Sequence, residues 1–414
     1  MTQFPRVIVY SVSVLALLTA LSVKAHAADD IFKPYIRLSE EFTNNVHEVA
    51  RGMRKEAITR VQPGFDVKYA APRWTWDAGY NLDYQYYARQ SETDKIFHTA
   101  RLDGKISAIE NFLFIDVRDT YQLTSIDIAR NAAEESLTQG QQKTNNAYAS
   151  IYLQKLLAPK LSGTSGYRYN DTRYFASNGI EKSEHSGFLD LSYAISPKLS
   201  LTASYTYGQS ATTINDITRH DANGGIRYEY ADKSFLYANA GNSWQRFKPG
   251  NRVQNLTWHA GLTHDFSVLT ANLETKTQTA DDSQTDATRQ VSYAGRLDMQ
   301  LRRGTLSAGS SYDEYFLVRT GHLDRRRATV NGAFSYELVE RLTSRLNVTA
   351  DRTNRRTATD YPYRLSVATG LTYGFNYDIS LSGTYTYVTY RHYFRSTEDN
   401  KEIHRVVVEL KKSF

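Results

Sequence analysis

Hydrophobic and polar residues alternate with a period of two along nearly the whole chain. In RWTWDAGYNLDYQYY (73–87), one side of an extended backbone receives Trp74, Trp76, Ala78, Tyr80, Leu82, Tyr84 and Tyr86. The other side receives Arg73, Thr75, Asp77, Gly79, Asn81, Asp83, Gln85 and Tyr87. Side chains of a β-strand point to opposite faces in turn, so the pattern predicts a strand with one aromatic face and one polar face. KLSLTASYTYGQ (198–209) likewise gathers Leu199, Leu201, Ala203, Tyr205 and Tyr207 on one face, and DISLSGTYTYVTY (378–390) gathers Ile379, Leu381, Gly383, Tyr385 and Tyr387. From about residue 33 to the end, no amphipathic helix of convincing length interrupts this texture.

Two kinds of connection alternate between these stretches. One is very tight, as at Ala71-Pro72, Ile109-Glu110-Asn111, Ser196-Pro197-Lys198 and Arg302-Arg303-Gly304. The other is longer and polar, as in RQSETDK (89–95), ARNAAEESLTQGQQKTNN (129–146), ADDSQTDAT (280–288) and RSTEDNKE (395–402). Such alternation predicts an all-β fold, an up-and-down antiparallel transmembrane β-barrel with short periplasmic turns and longer extracellular loops. Counting between turns gives about 20 strands, within about 18–22, and an even count returns both termini to the periplasmic side. A soluble propeller would repeat a blade signature every ~40–50 residues, and the hairpins here share no such motif. Loop 129–146 carries the Ala/Glu/Gln-rich piece NAAEESLTQGQQ. Folded inward it would constrict or plug the pore; projecting outward it would be a solvated loop. The closing stretch RVVVELKKSF ends in Phe414, with Leu410 and Val408 on one face, and resembles the terminal-strand signal read by the barrel-assembly machinery. Lys412 stands where that signal has an aromatic or apolar residue.

Composition fits a wet interior. The 414 residues include 31 Tyr, 8 Pro and no Cys, with 41% hydrophobic residues and a mean hydropathy of −0.54. That is lean for a solid core of this size, whereas a barrel with an aqueous lumen needs only an apolar outer face. Without cysteine there are no disulfides, thiolate metal sites or covalently attached haem, and no cofactor or metal site is expected. Arg6, the apolar run VIVYSVSVLALLTALSV (7–23) and Ala25-His26-Ala27 predict a signal peptide over 1–27, cleaved after Ala27. A short periplasmic segment, 28–32, and the barrel, 33–414, would follow. The formal net charge of +6 is too small to imply nucleic acid as a partner.

If the apolar faces meet lipid, the polar faces line the lumen. The expected lining comprises Arg73, Asp77, Asp83, Arg101, Asp103, Lys105, Asp116, Arg118, Arg168, Arg296, Asp298, Arg327, Glu337, Arg345, Asp351, Arg405 and Glu409. Both signs are present in similar number. One reading is structural, with opposite charges on adjacent strands pairing to stiffen the wall. The other is that this lining, with its Tyr and Asn, solvates a polar, hydroxyl-rich polymer. Arg325-Arg326-Arg327 and the Arg-rich stretch Arg352 to Arg356 fall at the outer ends of strands 16 and 17, where a basic rim would meet lipopolysaccharide phosphates or draw in an anionic substrate. No G-x-S-x-G, H-E-x-x-H or P-loop motif occurs, and the scattered His98, His264 and His322 read as girdle or loop residues, so an enzyme is not expected. A plugged, energy-coupled receptor is not expected either.

Near the start, Ser39-Glu40-Glu41-Phe42-Thr43-Asn44-Asn45 precedes Ile58-Thr59-Arg60-Val61-Gln62-Pro63-Gly64. These stretches resemble the Ser-Glu-x-aromatic-x-(Asp/Asn)-Asn and (Ile/Thr)-Thr-x-Val-x-Pro-Gly motifs of a family of outer-membrane β-barrel porins. Members are of the kind associated with PEP-CTERM/exosortase and exopolysaccharide gene clusters. The similarity covers residues 34–87 and continues beyond them only as strand texture. It implies a passive conduit in the outer membrane of a Gram-negative bacterium for a secreted polysaccharide, working with a periplasmic polysaccharide-export protein. A general or solute-selective diffusion porin, and a structural barrel sheathing or anchoring an extracellular assembly, are the competing expectations.

Overall fold

A computed structural model describes residues 31–126, 141–175, 179–248, 250–280, 282–285, 287–355, 362–391 and 400–414. The expected leader, 1–27, and most of the segment 28–32 lie outside the described residues. The alternating stretches form 20 strands, from β1 (Phe32–Thr43) to β20 (Lys401–Ser413). Each pairs antiparallel with the next, and β1 pairs with β20 from Tyr35↔Ser413 to Thr43↔Arg405, closing the sheet into a barrel. Closure gives the first and last strands ladder partners on both sides, which a sheet surrounded by lipid requires.

The tight turns lie at one end of the barrel. Pro72 and Arg73 connect β2 (Glu56–Ala71) to β3 (Trp74–Tyr87). Several other turns place a residue at positive φ, namely Asn111 at 56°, Lys233 at 51° and Arg341 at 66°. The ladders beside these three shift by one residue, at Ser107/Ile109, Glu229/Ala231 and Glu337/Val339. A one-residue bulge before the turn and a left-handed residue within it let these two- and three-residue connections follow the twist of the flanking strands.

The two faces divide by parity. Leu201, Tyr205, Leu236, Trp244, Leu262, Tyr293 and Leu306 are exposed on the outer surface, and the residues between them look inward. Among the described residues, buried apolar side chains form small clusters near the loop end, such as Val46, Ile58 and Tyr87, rather than one central core. The outer face of β3 runs from the exposed Trp74 beside its turn to the exposed Tyr86 near its loop. Aromatic rings at both ends suit the two membrane interfaces.

The two family-like stretches lie side by side. β1 and β2 pair with Ser39 opposite Arg60 and Tyr35 opposite Gly64. The Thr59 hydroxyl donates to Glu40 at 2.7 Å. A Cβ on Gly64 would sit 2.5 Å from the Tyr35 ring, so glycine is what allows that ring to lie across the strand. The β2–β3 register skips Gln62 and Pro63, where proline has no N–H to give the ladder.

Candidate functional site

The candidate site is the inner wall and the loop end that guards it. Arg101, on β4 (Lys95–Ile109), reaches Asp66 at 2.9 Å and Asp77 at 3.0 Å from the two preceding strands. Arg118, on β5 (Leu113–Ser125), meets Asp103 at 3.2 Å. Asp83 accepts from Gln85 at 2.8 Å, and Asp116 from the Tyr152 hydroxyl at 3.5 Å. Lys105 lies 5.2 Å over the Phe114 ring, and Arg168 lies 3.6 Å over Phe188 and 3.7 Å from Asp190. Arg296 binds Asp298 through two nitrogens at 2.7 Å. Asp351 bridges Arg327 at 3.5 Å and Arg364 at 2.7 Å. Glu337, Arg345 and Glu409 share the inward face of their strands.

One expected lining residue is elsewhere. Arg73 stands in the tight turn after Pro72, because β2 ends at Ala71 and β3 begins only at Trp74. The alternation around it is right, but the turn takes Arg73, the first residue of the polar series, out of the strand. Val408 and Leu410 are exposed on the outer face, and Phe414 is exposed at the chain end, its N–H bonded to the Pro34 carbonyl at 2.9 Å.

The arginine cluster on β16 (Leu323–Val339) divides by the same parity. Arg326 faces outward and meets Glu314 at 3.0 Å, while Arg327 turns inward to Asp351. Arg325 also turns inward and is only 3% exposed. On the next strand, β17 (Leu342–Arg355), Arg352 lies 5.3 Å from the Tyr363 ring. Arg356 lies outside the described residues. Parity thus splits a continuous basic rim. His98 and His264 accept or donate to Tyr80 and Tyr230 hydroxyls at 2.7 and 2.8 Å on the outer surface, and His322 sits in a connection.

Two connections turn into the mouth. In 44–55, Asn45 is fully buried: its amide nitrogen donates to the Val49 carbonyl at 2.7 Å and the Glu402 carbonyl at 3.1 Å. Val46 packs on the inward-facing Ile58 and Tyr87, and Glu48 pairs with Arg405 at 2.7 Å. Arg405 also lies 3.9 Å from Glu41, which Arg60 approaches at 3.8 Å. Asn44, Asn45, Glu41 and Arg60 all belong to the family-like stretches, so those motifs build one side of the mouth.

The second is the strap between β13 (Leu269–Ala280) and β14 (Thr288–Leu301). Asp282, 1% exposed, meets Arg325 at 3.1 Å. Ser283 donates from its hydroxyl to the Ile126 carbonyl at 3.2 Å, and its own carbonyl accepts the Ile180 N–H at 2.8 Å. Ile126 follows β5 and Ile180 follows β7 (Leu161–Tyr174), strands well round the barrel from β13. This strap, rather than a loop chosen for its composition, spans the described mouth. Its sequence signal was only polarity. For the expected loop 129–146, β6 (Gln141–Ala158) already begins at Gln141, and the Ala/Glu/Gln-rich piece lies almost wholly outside the described residues.

Neither a protein-family model nor a curated relative matches the sequence. Solved structures do match in fold. The FrpB iron transporter from Neisseria meningitidis (F5-1 variant, apoprotein form) superposes with a TM-score of 0.56 at 11% identity, over 94% of this chain and 82% of that one. Its F3-3 variant gives 0.54 at 10% identity, over 96% and 83%. A mutant of the ferric enterobactin receptor PfeA from Pseudomonas aeruginosa gives 0.51 at 9% identity, over 94% and 81%. At such low identity the likeness is one of fold: this chain is a closed antiparallel β-barrel of the outer-membrane kind.

Proposed function

We propose that the protein is an outer-membrane channel of a Gram-negative bacterium that passes a hydroxyl-rich polymer, an exopolysaccharide, to the cell exterior with a periplasmic export partner. The observation that carries this reading is the pairing of inner-wall charges with one another. Asp66, Asp77 and Arg101 offset each other, as do Asp103 and Arg118, or Asp351 with its two arginines. Offset charges leave little net field along the wall. What remains for a passing chain is a surface of hydroxyls, amides and phenols that exchange hydrogen bonds with sugar hydroxyls. The motif resemblance supports the same substrate. The strap disfavours a sheath, because a protein threaded along the axis would meet it.

Deletion of the gene, followed by assay of extracellular carbohydrate, tests the proposal. The expected result is loss of extracellular polymer, restored by the full chain in trans. Normal polymer outside the cell together with slowed uptake of small solutes would replace it with a diffusion porin.

A further inference from the structure

At the loop end the barrel wall parts between two strands. β12 (Arg252–Asp265) pairs with β13 only from His259↔Lys276 to Asp265↔Thr270. The seven residues from Arg252 to Trp258 have no ladder partner on that side among the described residues. β13 and β14 nevertheless stay paired up to Ala280↔Thr288, so the hairpin leans inward as a unit. Thr277, Thr279 and Arg289 share the face of Leu273 and Tyr293, which are exposed on the outer surface. Yet they line one cleft with Thr202, Ser204 and Asn223, which look inward from β9 (Leu199–Thr212) and β10 (Asp216–Ala231). An outer face has been folded against an inner one.

The cleft has a volume of about 470 Å³. Toward the loops, Ile217, Phe247, Ala287 and Val318 pack together with Val253 against them. Trp258 lines it too, and its indole N–H donates to the Thr275 hydroxyl at 3.0 Å. The missing ladder along Arg252 to Trp258 gives the cleft a side toward the bilayer. Beside that opening, on the outer surface, Ala260, Leu262, Leu273, Tyr293, Tyr312 and Val330 line an apolar groove of about 820 Å³. A polar cleft and an apolar groove thus meet at one break in a wall that lipid surrounds.

The cleft's chemistry narrows the occupant. Of the two arginines in its lining, Arg219 is held by Glu184 and by Asp221, each at 2.9 Å, and Arg289 lies 4.7 Å over the Phe316 ring. Hydroxyl and amide groups make up most of the lining. The Asn255 amide nitrogen and the Thr277 hydroxyl are buried there without a hydrogen-bond partner among the described residues. A buried polar group left unpaired is costly, and a ligand hydroxyl relieves it. We propose that the parted β12–β13 seam binds a glycolipid, its glycosyl head in the polar cleft and its acyl chain in the outer groove, entering sideways from the bilayer. The seam is a site in the wall and does not depend on what the lumen carries.

Native mass spectrometry of the full chain in a polyoxyethylene detergent, titrated with dodecyl maltoside, tests this. One saturably retained molecule is expected. Asn255→Leu combined with Thr277→Val should weaken it roughly tenfold, the loss expected from removing two hydrogen bonds. Ser204→Val, on the back wall and away from the parted strands, should weaken it as well and covers the case in which the first variant does not fold. Dodecylphosphocholine, with an equal chain and a phosphate head, should be retained more weakly. Unchanged affinity in the folded variants, or equal retention of the phosphocholine, overturns the proposal.

Discussion

Single residues decide how the mouth is held. Asp282 and Arg325 are both nearly inaccessible, and a buried pair that loses one partner leaves a charge without compensation, at a cost of about 3–5 kcal/mol. Asp324, 2.6 Å from the same guanidinium, offsets part of that in a variant. Asp282→Ala is therefore expected to free the strap while the barrel stays folded. Single-channel recording in planar bilayers should show a larger conductance than the native chain, and an unchanged conductance would mean that the strap does not limit the passage. Asn45 plays the corresponding part on the opposite side: its side chain makes three hydrogen bonds to backbone groups, at 2.7, 3.1 and 3.1 Å. Asn45→Ala removes all three, and each is worth about 1 kcal/mol. Faster proteolysis within 44–55, with the barrel core still resistant, is the expected outcome.

At the scale of elements, the departure from a regular barrel is the divided strand β12. Its stretch from His259 to Thr263 is laddered on both sides, and the stretch from Arg252 to Trp258 on one. Backbone amides with a single-sided ladder open locally at lower free energy. Hydrogen exchange in a bilayer should therefore run faster over 252–258 than over 259–263, with the well-laddered β11 (Ser234–Phe247) slow throughout. Equal protection over both stretches would show the seam closed in the membrane. The hairpin that leaves β12 is the same one that carries the strap. Leaning inward brings Thr279 within 3.5 Å of Arg219 and positions Ser283 to reach the far side of the mouth.

The whole molecule is organised inside out relative to a soluble fold: apolar belt outside, paired charges within. That inversion makes neighbouring positions on one strand respond oppositely. Val408, exposed on the outer face of β20, and Glu409, on the inner face, are adjacent in sequence. Val408→Arg places a cation against lipid and should cost about 2–4 kcal/mol near the bilayer midplane, whereas Glu409→Arg meets water and should cost far less. Unfolding in urea from lipid vesicles compares them, and equal losses would be inconsistent with the assignment of faces.

The period-two alternation and the spacing of tight turns determined the barrel, a strand count of about 20 and the alternation of faces along each strand. These are local properties: parity follows from the geometry of one extended chain, and a turn from a few residues around it. Where a local rule had an exception close by, as at Arg73 beside Pro72, parity alone misplaced it. The strap, the parted seam and the sharing of Asp351 between Arg327 and Arg364 were decided only by tertiary structure. Ser283 meets a carbonyl 157 positions away in sequence, and ADDSQTDAT carries no sign of that partner. A polar loop reads the same whether it turns out to solvent or in across a mouth, because its direction depends on which distant groups it can satisfy.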